Sequence, residues 1–188
     1  MSIPPREVFA KAARDQLAQH DAWDSPHAFI TLHWDGTSLN GRTYACIMPD
    51  IDPPDYPACM SKIAREQFEK DPADPAYAYL LQIEGFGVPE PGKDATGAER
   101  DQYNRDRLGR TFHQRADAVE CALAWVADIH GRVWSAEKIR GREDEGIREQ
   151  YHAPGQTPGG HMIRGLLAVA YATGVMGHSL PGPQGTFN

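Results

Sequence analysis

No run of apolar residues in this 188-residue chain approaches the ~20 that a membrane-spanning helix needs, and the opening stretch MSIPPREVFAKAARDQ has no apolar core of the kind a secretory signal carries. Both absences point to a protein kept in the cytoplasm and off membranes. Cysteine is scarce: Cys46, Cys59 and Cys121 are odd in number, far apart and set among apolar neighbours. That argues against a disulfide framework or a zinc knuckle and for buried reduced thiols. Basic residues are outnumbered, 19 against 26 acidic ones, for a formal charge of -7. Too few cations remain to displace counterions from a phosphate backbone, so general nucleic-acid binding is excluded as an expectation. The common chemical signatures are missing as well: no GxxxxGK[ST], no GxGxxG after a strand, no HExxH, no CxxC and no GxSxG. Their absence removes the usual pointers to a cofactor, and none is expected.

What is present is enough for a core. The chain is 40 % hydrophobic, and its length suits one domain, expected over residues 1–178 with a flexible tail at 179–188 rich in Pro and Gly. Arginine exceeds lysine, and Ala, Gly, Pro and Asp are abundant, a bias associated with GC-rich bacterial or phage genomes.

The central stretch is 118–140, AVECALAWVADIHGRVWSAEKIR. Val119, Cys121, Leu123, Trp125 and Ala127 alternate with Glu120, Ala122, Ala124 and Val126, and Asp128-Ile129-His130-Gly131 supplies a turn, so two long strands folded as a hairpin are predicted. Alternation also predicts strands at 28–34, 42–48 and 77–86. Helical spacing predicts helices at about 5–19, after Asp55, and from Thr157-Pro158 to about Gly174. Residues 87–115 lack a sustained period and read as a long irregular excursion with one short helix. The sum is an α+β domain, a mainly antiparallel sheet of about five strands with three principal helices on it.

Four groups of residues have chemistry to offer. His33 beside Trp34 and Asp35, with Glu84 on a later strand, is an acid–base or metal-assisted hydrolase candidate. His113 is a further metal ligand to join His33, and His130, His152 and His161 lie in or beside loops. Arg105, Arg107, Arg110, Phe112, His113 and Arg115 form the one arginine-aromatic stretch, suited to phosphates, nucleotides or an acidic partner. Its plainer reading is a connector that pairs with Asp101, Asp106 and Asp117. Gly159, Gly160, His161 and Arg164 surround the start of the last helix, where exposed amides attract anions. Trp125 and Trp134, on opposite arms of the hairpin, offer core and interface roles. The hairpin edge offers a route to a homodimer.

Since no motif names a reaction, the leading expectation is a non-catalytic protein that contacts another protein in an accessory or regulatory role. A His/Asp/Glu hydrolase and a nucleotide or phosphate-ligand binder are the alternatives.

Overall fold

The computed structural model describes residues 3–47, 55–109, 111–156 and 160–180, with the backbone alone at 43–47. Ten elements follow in order: α1 (Arg6–Ala18), β1 (His27–Trp34), β2 (Leu39–Ile47), α2 (Tyr56–Lys70), β3 (Ala78–Gly87), α3 (Gly97–Gly109), β4 (Val119–Asp128), β5 (Val133–Ile139), β6 (Arg148–His152) and α4 (His161–Gly177). The strands make one sheet in the order β2-β1-β3-β4-β5-β6, every neighbouring pair antiparallel. The α+β class holds, with a sixth strand and a fourth helix added.

The two-sided apolar strands explain why helices lie on both faces. Phe29, Tyr79, Leu81, Ile83, Ala127 and Val133 point to the side covered by α2 and α4. Ile30, Leu32, Leu80, Ala122, Ala124, Val126 and Trp134 point to the side covered by α1, whose Phe9, Ala13 and Leu17 are buried on them. The first and last helices therefore cover opposite faces. Trp134 is core, stacked on Phe9 with ring centroids 4.7 Å apart, whereas Trp125 is half-buried on the other face.

The β4–β5 turn is built around Asp128, which is fully buried. Its Oδ1 accepts the His130 and Arg132 amides at 3.0 and 2.9 Å, and the Arg132 guanidinium reaches Oδ2 at 2.7 and 2.6 Å. Burial pushes the Asp128 carboxyl above its ordinary pKa, against the pull of Arg132. Gly131 turns the chain with φ +77°, and a side chain there would meet the Tyr171 ring. On the other layer Gly165 lets α4 lie against α2, since a Cβ would stand 2.7 Å from Pro57 Cβ.

Several expectations are corrected. The hairpin has no open edge, because β4 pairs outward with β3 and β5 with β6; the sheet's ends are β2 and β6. It therefore offers no edge for two copies to join. The stretch after Ile139 is not loop alone: Arg148–His152 forms β6, too short and polar to show a period. The one helix expected in the excursion is present as α3 and is longer than expected, at 13 residues. Helix α4 runs past Gly174 to Gly177, and Gly174 instead lets the helix approach Ile129, whose Cβ would lie 3.1 Å from an added Cβ. Cys59 and Cys121 are free; Cys121 is buried, and burial pushes its thiol up to about 11, while Cys59 is half-buried. Of the expected tail only Ser179 and Leu180 are described, and the Cys46 side chain, Met48, Arg110 and Thr157 to Gly159 lie outside the described residues.

Candidate functional site

The hydrolase candidates do not converge. Partners in register share a face, so the pairing of Phe29 with Leu81 puts His33 on the α2/α4 side and Glu84 on the α1 side. His33 is buried, its Nε2 3.1 Å from Thr31 Oγ1 and its Nδ1 3.3 Å from Asp74 Oδ2, which also takes Arg42 at 2.8 Å. Asp35 builds the β1–β2 turn: it accepts the Thr37 and Ser38 amides at 2.8 and 2.7 Å and the Ser38 hydroxyl at 2.7 Å. Those bonds to the charged form hold its carboxyl down at about 2.

Glu84 works as a clasp. It accepts the Asp24 and Ser25 amides at 2.7 and 3.0 Å and stands 3.0 Å from His20 Nε2. His20 Nδ1 in turn is 2.7 Å from Gln82 Nε2, whose amide can only donate, so the imidazole proton is left on Nε2, toward Glu84. This ties the α1–β1 connection to β3. His113 is exposed beside Phe86, at the far end of β3 from His33; nine residues of strand, about 30 Å, separate the two as metal ligands.

Among the described residues, Asp24, Glu84 and Glu120 are the one trio with metal-ligand spacing. Arg140, 2.8 Å from Glu120 and 3.9 Å from Asp24, already offsets their charge.

The arginine-aromatic stretch divides. Arg115 forks onto Asp117 at 2.8 Å through two nitrogens and onto Asp106 at 3.1 Å, which raises its pKa. Phe112 leans on Tyr103 with centroids 5.2 Å apart. These follow the connector reading. Arg105 is bonded to Gln102 at 2.8 Å. Arg107, exposed two residues on, has no side-chain bond among the described residues.

Helix α3 explains itself locally. Thr96 and Glu99 form a capping box: the Thr96 amide donates to Glu99 Oε2 at 2.7 Å, and the Glu99 amide returns to Thr96 Oγ1 at 3.3 Å. Arg100 holds the preceding loop through the carbonyls of Gly92 and Lys93 at 2.9 and 2.8 Å. No α3 side chain is buried, and Leu108 is 83 % exposed.

What the structure does bring together is the end of α3 and the start of α4. Arg107 and Leu108 share a cavity of about 740 Å³ with Gly160, His161, Met162 and Arg164. Gly160, His161 and Met162 also wall a second cavity of about 460 Å³ that runs onto the sheet. Its floor is two cross-strand rows, Leu123, Glu137 and Arg148, then Trp125, Ser135 and Gln150, with His152 beyond them at the end of the last strand. His152, placed by sequence in or beside a loop, is the last residue of β6 at the start of one, and burial lowers its pKa. Gln150 and Ser135 were invisible as site residues, since only strand register aligns them with Trp125. Set against protein families, curated proteins and solved structures, the chain finds no match in any of the three.

Proposed function

We propose that this protein works by contacting another protein, as a non-catalytic accessory or regulatory component, and that α3 makes the contact. The observation that carries the reading is a 13-residue helix with no buried side chain. Isolated helices of this length are marginal in water, and a helix polar all round gains little from its own domain. Here the capping box and the Arg100 claw hold it out from the sheet with Leu108 exposed at its end. Scattered His33, Asp35 and Glu84 offer no rival centre of reaction.

The test is affinity capture by the full chain and by its Leu108→Asp and Arg105→Glu variants, with native mass spectrometry of each to count subunits. A protein held by the wild type and released by both variants supports the reading. Equal retention by all three, or turnover of a small substrate that depends on His33, would sink it.

A further inference from the structure

We propose that the cleft at the start of α4 binds a small molecule that joins a flat ring to a phosphate group. This goes beyond the protein contact and does not depend on it.

The phosphate end is argued from charge. The chain is acidic, and Arg14, Arg42, Arg115, Arg132, Arg140, Arg142 and Arg148 each lie within 4.0 Å of a carboxylate. Arg107 and Arg164 have no hydrogen-bond or ion-pair partner among the described residues, yet they come from different helices to one cavity. Two unmatched guanidinium groups on one cavity repel each other until an anion joins them, and their forked donors fit phosphate oxygens. The amides of α4 add to this: the Gly160 cap has no side chain to accept them, and the first turn has no acidic residue.

The ring end is argued from the adjoining cavity. Past Gly160 and Met162 the cleft reaches Trp125, an indole half-buried on an open part of the sheet, flanked by Ser135 and Gln150. The two cavities, about 460 and 740 Å³, are each of small-ligand size. His152 is the independent pointer. It lines the same cavity at 8 % exposure, and its Nε2 has no hydrogen-bond partner. Three other buried nitrogens fail the same geometry, but His20 Nε2, His33 Nδ1 and an Arg132 nitrogen each lie within 3.3 Å of a carboxylate oxygen. Of these four atoms only His152 Nε2 has no carboxylate beside it; among the described residues the His152 ring meets the Gln156 backbone alone, and an orphaned buried polar atom marks a place where a partner is missing. Glu137 and Glu149 at the rim, paired with Arg148 at 3.9 Å and Arg14 at 2.9 Å, disfavour a long polyanion and leave room for a small one.

The experiment titrates the full chain with adenosine 5′-monophosphate, phenyl phosphate, inorganic phosphate and adenosine, followed by calorimetry and tryptophan fluorescence. The variants are Arg107→Glu with Arg164→Glu, Trp125→Phe, and Arg65→Glu as a control that changes charge on α2 at another unpartnered arginine. Arg107, Arg164 and Arg65 are all exposed, so matched circular dichroism spectra are expected. One or both ring phosphates should bind saturably and quench fluorescence. The double reversal should weaken binding at least about tenfold, the scale of one lost charged hydrogen bond, and Arg65→Glu should not. Trp125→Phe should abolish the quench. No saturable binding of either ring phosphate by about 1 mM would overturn the proposal. So would inorganic phosphate binding as tightly as the ring compounds, or equal weakening by Arg65→Glu.

Discussion

The β4–β5 hairpin and the connection from Val88 to Ala118 are held by different physics. The hairpin is fixed by burial: both faces of β4 are apolar, both strands are paired on both sides, and even its turn hangs on a buried carboxylate. The connection buries almost nothing and is fixed by side chains bonding to nearby backbone, as in the Thr96–Glu99 box and the Arg100 claw. Burial makes one region indifferent to its exact polar sequence. Local bonding leaves the outer surface of the other exposed.

The sharpest way to break that contrast is truncation. Trp134→Ala removes a buried indole from its stack on Phe9 and should lower unfolding free energy by about 3–5 kcal/mol in urea. Leu108→Ala, on a side chain in solvent, should stay within about 0.5 kcal/mol. Comparable losses at the two positions would mean that α3 is packed as tightly as the hairpin. The next test compares ion pairs. Arg132→Ala leaves the buried Asp128 carboxyl without its counter-ion, at a cost of about 3 kcal/mol. Arg115→Ala frees Asp117, half exposed to water, and Asp106, which keeps its bonds to Gln102 and Thr111, and should lower the denaturation midpoint far less than Arg132→Ala. A smaller effect again is expected at the cap of α3. Thr96→Ala should cost about 1 kcal/mol of local helix stability, seen as faster amide exchange in 97–109 with exchange in β4 unchanged. Faster exchange in both would show that the arm and the sheet unfold as one unit.

The same contrast explains what could be read from sequence. β4 was legible because Cys121 to Ala127 carry apolar residues at every position between turn signals, a pattern that burial on two faces demands. α3 was legible only as one short helix without bounds, because helical period reports a buried stripe and this helix has none. The T-x-x-E spacing of Thr96 and Glu99 was the available signal. β6 escaped because Arg148, Glu149 and Gln150 sit exposed at a sheet edge, where charge is an asset against aggregation. The arginine stretch and the glycine-rich stretch each stood out as candidates for anion binding, but not that Arg107 and Arg164 share a cavity, since that depends on how a 13-residue arm is aimed. The hydrolase grouping failed for a simpler reason: one residue's difference in strand parity sends Glu84 to the opposite face from His33.

The two hairpin turns give the finest version of the comparison, because each is organised by an aspartate in opposite surroundings. Asp128 is buried and its carboxyl is pushed up; Asp35 is solvated, bonded to the Ser38 and Thr37 amides, and held down at about 2 from 3.8. A depressed carboxylate binds protons less readily in the folded chain than in the unfolded one. Its contribution is therefore complete above the unfolded value of 3.8 and is lost as pH falls through about 2. Asp35→Asn should thus be slightly less stable than wild type at neutral pH, with a gap that closes steadily as the pH is lowered from 4 toward 2. A gap that stays constant over that range would mean that Asp35 acts through its shape in the turn and not through its charge, and the turn would then resemble the Asp128 turn more than its exposure suggests.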